Sequence, residues 1–200
     1  MTLQDVKNLV GLFLTAPMPV EIFETYYNDG SLKLFLQRYA EKNFEALRQF
    51  KKVMGDSTTP LHVTNGVAAI PVDFFAFESA YHKAFNETWL INFVDDATFD
   101  NLLAHKIEFP TLEYAIANIQ SNYIRVRPSE LRYIIFSYFI KPTPITYAVY
   151  DTRGFLEFNE AGSSPLMWDE NNIVALVQII LQSIGINLTQ SEIQQKQQKQ

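Results

Sequence analysis

The clearest indication of the fold comes from the apolar run Leu131-Arg-Tyr-Ile-Ile-Phe-Ser-Tyr-Phe-Ile140. Its apolar residues occupy odd and even positions alike, whereas a strand with one face in water alternates apolar and polar side chains. We therefore predict a central β-strand that is buried on both faces. A helix would cover one face, and a sheet or a neighbouring subunit would cover the other.

Segments typical of short strands lie on both sides of this run. They are separated by turn residues such as Ser121-Asn122 and Pro142-Thr-Pro144, a spacing that predicts antiparallel sheet. From the middle of the chain onward, the predicted strands are residues 114–119, 123–127, 131–140, 146–150 and 155–158. Further upstream, Asn65-Gly66 indicates a hairpin turn between two short apolar segments. Residues 89–94 predict another strand, and the aromatic segment 74–85 favours neither a strand nor a helix.

Helical periodicity occupies the two ends of the chain and one central segment. Thr2 and Asp5 have the spacing of a capping box, and Asp169 precedes a nearly all-apolar helical segment. The predicted helices run from Thr2 to about Leu14, over residues 20–28 and 31–54, from Asp95 to about His105, and over residues 170–183.

The longest predicted helix covers residues 31–54, begins after the cap Ser31 and ends before Gly55. Asp29-Gly30 is expected to end the shorter helix that precedes it. Its predicted core stripe consists of Leu32, Leu36, Tyr39, Leu47 and Phe50. Helices at both ends of the chain and strands between them predict an α+β fold. In this fold, N-terminal helices and a C-terminal helix pack with an antiparallel β-sheet or sandwich, and residues 1–188 form a single domain.

Residues 189–200 differ from the rest in composition and end in Gln-Gln-Lys-Gln-Gln-Lys-Gln. Thr189 and Glu192 offer a second capping box, but a segment so rich in Gln and Lys has little internal reason to be ordered. Two interpretations stay open for it. The segment is either a docking arm that becomes ordered on a partner or a frayed tail in solvent.

The composition narrows the kinds of chemistry available to the chain. It has 0 cysteines and 3 histidines, and no phosphate-binding loop or metal-ligand spacing is found. The pairs Asp95-Asp96 and Asp169-Glu170 precede helical segments, where capping carboxylates are expected. We therefore expect no catalytic residue, cofactor or metal, and a small hydrolase acting through Asp95-Asp96 is the least favoured alternative.

Charged and aromatic residues offer two candidate contact surfaces. Arg125 and Arg127 lie on one face of a predicted strand, and Arg132 follows soon after. They form either a solvated face or a contact with another subunit or a polynucleotide. Phe74-Phe75-Ala-Phe77 is dense enough for a partner surface, although core packing explains it equally well.

Neither export nor membrane insertion is expected. An acid, Asp5, stands where a signal peptide would carry lysines, and no apolar run approaches the roughly 20 residues that span a bilayer. With a net charge of −6, the chain lacks the excess of Lys and Arg that is typical of a protein that binds phosphate backbones tightly.

The order of weak motifs along the chain is similar to that of a family of phage proteins. These motifs are a hairpin with Leu61, Val63, Gly66, Ala68 and Pro71, then Val94-Asp-Asp-Ala-Thr-Phe99, Tyr123-Ile-Arg-Val-Arg-Pro128, Tyr138-Phe-Ile-Lys-Pro142, Trp168-Asp-Glu-Asn-Asn-Ile173 and Gly185-Ile-Asn-Leu188. Together they resemble the virion neck proteins, or head–tail connectors, of tailed phages that infect gut Bacteroidetes, including the crAss-like group.

This resemblance implies a non-enzymatic structural protein of the virion neck. Copies would form a ring, usually a dodecamer, that joins the portal to an adjacent neck or tail ring and lets DNA pass non-specifically. The protein would reside in the virion, and in the host cytoplasm during assembly. The alternative is a tail-completion or minor virion protein that binds a partner without forming the conduit.

Two sets of residues are the expected contacts of such a ring. Arg125, Arg127 and Arg132 are candidates for contacts between subunits, within a surface formed by the sheet over residues 114–158 and the helix over residues 31–54. Ile186, Asn187, Leu188 and Ile193 are candidates for docking on the portal or an adjacent ring.

Overall fold

The computed structural model describes residues 1–55, 61–84, 87–104, 109–152 and 155–198. Within these residues the helices are α1 (Leu3–Gly11), α2 (Val20–Ala40), α3 (Asp96–Ala104), α4 (Glu170–Ser183) and α5 (Gln190–Gln197). The strands are β1 (Lys51–Met54), β2 (Leu61–His62), β3 (Val67–Ala69), β4 (Phe74–Ala84), β5 (Glu87–Leu90), β6 (Asn92–Phe93), β7 (Ile116–Ile119), β8 (Tyr123–Arg127), β9 (Tyr133–Ile140), β10 (Val149–Thr152) and β11 (Phe155–Phe158). The fold is α+β, as predicted.

The chain divides into two compact units. One consists of Met1–Phe50 with Lys141–Gln200, and the other of Lys51–Ile140. The first unit contains α1, α2, α4, α5 and the pair β10–β11, and the second contains α3 and all the other strands. The prediction of a single domain over residues 1–188 stays a prediction.

In the second unit, the decisive apolar run forms β9, which pairs with β1, β2 and β4. The five-stranded sheet has the order β1-β9-β4-β5, with β2 paired to β9 outside this path. Phe136 is 0% exposed and Phe139, which points to the opposite face, is 1% exposed. The prediction of a central strand buried on both faces is therefore confirmed.

A second sheet in the same unit has the order β3-β8-β7-β6, in which β6 and β7 are parallel. The predicted turn at Asn65-Gly66 is present, because both residues have positive φ (52° and 76°) and Thr64 bridges to Val67. The two segments that flank this turn nevertheless join different partners, since β2 pairs with β9 and β3 pairs with β8. The turn thus connects two sheets.

The strands predicted over residues 114–158 do not form one sheet, which corrects the expectation of a single antiparallel sheet; their part in subunit contacts stays a prediction. β7 and β8 belong to the four-stranded sheet and β9 belongs to the five-stranded sheet, whereas within the described part of the chain β10 pairs with β11 alone. The segment 74–85, for which the sequence pattern favoured neither a strand nor a helix, contains β4, which pairs with β9 in antiparallel orientation. Strand patterns are local, whereas the choice of sheet depends on partners distant in sequence.

The predicted helices over residues 20–28 and 31–54 are also corrected. A single helix, α2, runs through Asp29-Gly30 and ends at Ala40, and residues 51–54 form β1. Gly30 does not end the helix because it packs against α4, where a Cβ would lie only 3.2 Å from Ile180 Cγ1. The predicted end at Gly55 instead marks a close approach of β1 to β9, where a Cβ would lie 2.0 Å from the Ile134 carbonyl oxygen.

The core stripe predicted for the long helix changes accordingly. Leu47 and Phe50 are buried, but Leu32 and Leu36 are exposed on α2. The buried face of α2 carries Leu34 and Phe35 instead, together with Ser31, whose hydroxyl oxygen accepts a 2.7 Å hydrogen bond from Trp168 Nε1. Because α2 ends at Ala40, the residues after it do not follow the periodicity of the helix. A single helical stripe therefore cannot include Leu47 and Phe50.

Candidate assembly surface

The two acidic pairs act as helix caps. Asp95 Oδ1 accepts a 2.8 Å hydrogen bond from the Thr98 backbone N–H, and Asp169 Oδ1 accepts a 3.0 Å bond from that of Asn172. The Thr98 N–H stabilises the Asp95 carboxylate and holds its pKa below the ordinary value. Both capping predictions are confirmed. Among the described residues, no group of three or more His, Asp or Glu side chains could hold a metal ion.

The histidines lie in different environments. His62 is exposed beside Tyr133, with 6.0 Å between the ring centroids. His82 lies within β4 and is only 1% exposed, so it is neither a surface residue nor a helix cap. Burial lowers the pKa of His82, against a smaller opposing effect of the Leu112 backbone. His105 lies outside the described residues.

The three candidate arginines are not brought to one site. Arg125 and Arg127 share a face of β8, as predicted, opposite the buried Ile124 and Val126. Arg132 is exposed and directly precedes β9, in the other sheet. Two of the three face one way and the third belongs to a different part of the unit.

Arg125 and Arg127 also make contacts inside the chain. Arg125 Nη2 donates a 2.7 Å hydrogen bond to Asp100 Oδ1, and its guanidinium lies 4.3 Å from the centroid of the Phe99 ring. Arg127 Nη1 donates a 2.9 Å bond to the Val126 carbonyl. Each arginine thus has an internal structural role. Their part in contacts between subunits stays a prediction.

Residues 189–198 pack on their own chain, which neither the docking arm nor the frayed tail predicted. Thr189 and Glu192 form the predicted capping box, and α5 places Ile193 at 0% exposure. Lys196 Nζ donates a 2.9 Å hydrogen bond to the Leu12 carbonyl and lies 4.3 Å from the centroid of the Phe13 ring.

The residues predicted to dock on a portal are partly engaged in this packing. The Leu188 carbonyl accepts a 3.0 Å hydrogen bond from Gln178 Nε2, and the Ile186 N–H donates a 2.8 Å bond to the Leu181 carbonyl. Asn187 is exposed, whereas Ile193 is buried. In this arrangement Asn187 is accessible to a partner, and Ile193 becomes so only when α5 moves.

The aromatic segment at the start of β4 packs internally. The Phe77 ring stacks on Phe93 with 3.8 Å between centroids and lies 5.6 Å from Phe136, while Phe74 lies 5.9 Å from Phe136. The three phenylalanines of this segment are nevertheless only half-buried, so both interpretations of it stay open.

A surface that the sequence patterns did not single out is the hairpin β10–β11. The two strands pair only with each other among the described residues, in the register Val149↔Phe158 to Thr152↔Phe155. Leu156 is 71% exposed and Tyr150 is 47% exposed. The sequence predicted both strands but held no pattern to show that they stand apart from the other sheets.

The base of this hairpin is firmly attached to the first unit. The backbone N–H of Tyr147 donates to Glu24 Oε1 at 2.5 Å, and that of Ile145 donates to Asn28 Oδ1 at 2.8 Å. The Ala148 N–H donates a 2.9 Å bond to Ser163 Oγ. The Tyr147 ring is buried, 4.9 Å from that of Phe158. The exposed strands therefore extend from an anchored base.

Comparison with known proteins adds no family to these observations. No family model matches the chain, and no curated protein matches it. No helix within the described residues has both the length and the apolar character needed to cross a membrane.

Proposed function

We propose that this chain is a structural protein of a phage virion neck. Its copies assemble into a ring, a dodecamer in our proposal, that joins the portal to an adjacent neck or tail ring and provides a passage for DNA. The protein has no catalytic role in this proposal. It resides in the virion, and in the host cytoplasm while the virion assembles.

The observation that carries the proposal is the exposed hairpin β10–β11 on its anchored base. A two-stranded sheet is at best marginally stable in water by itself, and unpaired strand edges are prone to pair with another chain. Here Leu156 and Tyr150 stay exposed on such a sheet. A protein that assembles with its own copies would cover these groups.

The charge of the chain supports the same function. A net charge of −6 repels the DNA backbone, so a passage built from this chain would let DNA slide through it. The motifs that resemble those of neck proteins, in the same order along the chain, independently support the proposed function.

Native mass spectrometry and electron microscopy of the purified chain test the proposal. We expect a closed oligomer of defined copy number, seen as rings in projection, that co-sediments with a portal assembly. A chain that stays monomeric at its highest soluble concentration, both alone and with the portal, contradicts the proposal. A monomer that nevertheless binds a virion component favours the tail-completion alternative.

A further inference from the structure

Strands β5 and β11 each have an edge without the usual protection against pairing with another chain. Natural sheets protect their edges with lysines, prolines or very short strands. At one end of the five-stranded sheet β1 carries Lys51 and Lys52, and in the other sheet β3 and β6 are only three and two residues long. β5 and β11 are four residues long and contain neither lysine nor proline. On β10, Asp151 already interacts within the chain, so the edge of that strand is not used here.

The outward edge of β5 presents the backbone of two exposed residues. In an antiparallel pair, residues that exchange hydrogen bonds with the partner strand alternate with residues whose N–H and C=O groups point away from it. Ile91 N–H donates to the Ala80 carbonyl at 2.9 Å, and the next pair along is Tyr81↔Leu90. Leu90 therefore directs its backbone groups outward, and so does Thr88, two residues away. Both residues are exposed.

The outward edge of β11 follows from the same alternation. Asn159 N–H donates to the Ala148 carbonyl at 2.9 Å, one position from the pair Val149↔Phe158. The outward backbone groups of β11 are therefore those of Phe158 and Leu156. The Leu156 side chain is 71% exposed.

We propose that β11 of one copy pairs in antiparallel orientation with β5 of the neighbouring copy, so that the hairpin extends the neighbour's five-stranded sheet. This inference rests on the proposed ring and names the strands that close it. The pairs already present in that sheet are antiparallel, which is also the commoner orientation in proteins. Because each copy offers one β5 edge and one β11 edge, the contact is head-to-tail, the kind that generates rings.

The side chains favour one register of this pairing. When Leu156 lies opposite Leu90, the outward residues of both strands all find a partner. Within the sheet Leu90 already lies opposite Tyr81, and Tyr81 lies opposite Ile135. The added Leu156 would continue this row of apolar side chains, in which Leu90 is 52% and Tyr81 is 36% exposed.

The other face of the sheet receives Glu157 in the same register. Glu157 would lie opposite Trp89, whose indole Nε1 is buried and has no hydrogen-bond partner among the described residues. The carboxylate offers an acceptor on the side of the strand where this donor lies. Within its own chain Glu157 accepts a hydrogen bond from the Tyr150 hydroxyl. The register therefore sets no like charges opposite each other.

A two-fold contact between two β5 edges is the competing arrangement. It would cover Leu90 but leave Leu156 of both copies in water. It would also join only two copies, whereas a larger ring needs a head-to-tail contact. Pairing of β11 with β5 covers both edges.

Disulfide trapping tests the inference directly, because the chain has 0 cysteines of its own. Two variants, Leu90→Cys and Leu156→Cys, carry different tags and are co-expressed so that they assemble together. In the proposed register their Cα atoms would lie about 5.5 Å apart, a separation that a disulfide spans. After mild oxidation, we expect covalent dimers that contain both tags, and none when either variant is expressed alone.

A matched control and a register control accompany this experiment. Val53→Cys, at 46% exposure on β1, replaces Leu90→Cys in the control mixture and should give no mixed dimer, because β1 lies at the other end of the sheet. Thr88→Cys with Leu156→Cys tests a register displaced by two residues, which would keep the same strands together. Thermal melts check that each variant folds.

A second measurement does not depend on cross-linking. Leu90→Lys places a lysine on the β5 edge, a feature that blocks edge pairing in natural sheets. We expect native mass spectrometry to show monomers of Leu90→Lys with the melting temperature of the wild type. The matched variant Val53→Lys should still form rings.

Each outcome bears on the inference. Rings without mixed dimers in either β5–β11 mixture, or rings of Leu90→Lys, overturn the edge pairing but leave the proposed ring standing. Dimers of Leu90→Cys alone overturn it in favour of a two-fold contact. A wild-type chain that is monomeric in every measurement overturns both the edge pairing and the ring.

Discussion

His82 lies within a strand, where little water reaches its ring, and its pKa is lowered by burial. The unfolded chain takes up a proton near the ordinary pKa of 6.5, while the folded chain resists it to lower pH. The contribution of His82 to the free energy of unfolding is therefore fully present above pH 6.5 and declines as the pH falls below that value. Urea unfolding from about pH 7 to about pH 5.5, above the main carboxylate range, should show this decline.

The variant His82→Gln cannot titrate and should lose this part of the pH dependence. His62→Gln, which replaces an exposed histidine, serves as the control and should keep the wild-type profile. Equal slopes for wild type and His82→Gln would show that protonation of His82 is not coupled to folding.

Asp169 is a second residue whose role is local. Its Oδ1 accepts hydrogen bonds from both the backbone N–H and the side-chain Nδ2 of Asn172. Asp169→Ala should lower the free energy of unfolding by about 0.5–2 kcal/mol, as expected for the loss of an N-cap. Asp169→Asn keeps an acceptor oxygen and should cost less. Chemical denaturation measures both, and equal losses would argue against capping.

At the scale of elements, the contact between α2 and α4 depends on Gly30. A side chain there would meet Ile180 Cγ1 at 3.2 Å and Leu176 Cδ1 at 3.4 Å. We expect Gly30→Val to lower the free energy of unfolding by about 1–3 kcal/mol through overpacking. Gly11→Val is the matched control, because nothing lies within 4 Å of a Cβ at that helical glycine. A larger loss at Gly11 in thermal melts would contradict this account of α2.

The docking of α5 depends on Ile193, which is fully buried. Ile193→Ala should lower the free energy of unfolding by about 2–4 kcal/mol, because it leaves a cavity where a buried side chain packed. The adjacent Gln194 is exposed, so Gln194→Ala should change little. Urea unfolding compares the two variants. An unchanged stability for Ile193→Ala would restore the idea of an arm with no packing of its own.

At the scale of the whole molecule, charge governs contact with DNA. A chain with a net charge of −6 has few cationic contacts with which to release counterions from DNA. Fluorescence anisotropy with duplex DNA should therefore detect no binding even at low salt. Binding that weakens steeply with added salt would reveal a basic surface and contradict the sliding passage.

Features that depend on residues close together in the sequence were predicted correctly, whereas features that depend on distant residues were not. The caps at Thr2, Asp95, Asp169 and Thr189 are bonds over three residues, so short motifs predicted all four. By contrast, the location of Gly30 against α4 depends on residues about 150 positions away, and no local pattern contains that information. The candidate surface was missed for the same reason.

The α+β class, the caps, the turn at Asn65-Gly66 and the central position of β9 could all be predicted from the amino-acid sequence, because each depends on local backbone preferences or on the pattern of apolar residues. Only the tertiary structure decided that α2 continues through Gly30, that β1 forms where a helix was expected, and that α5 packs through Ile193. It also decided that β10 and β11 pair only with each other among the residues that the structure describes. Burial and strand pairing outweigh local propensity, and both depend on which distant residues the chain brings together.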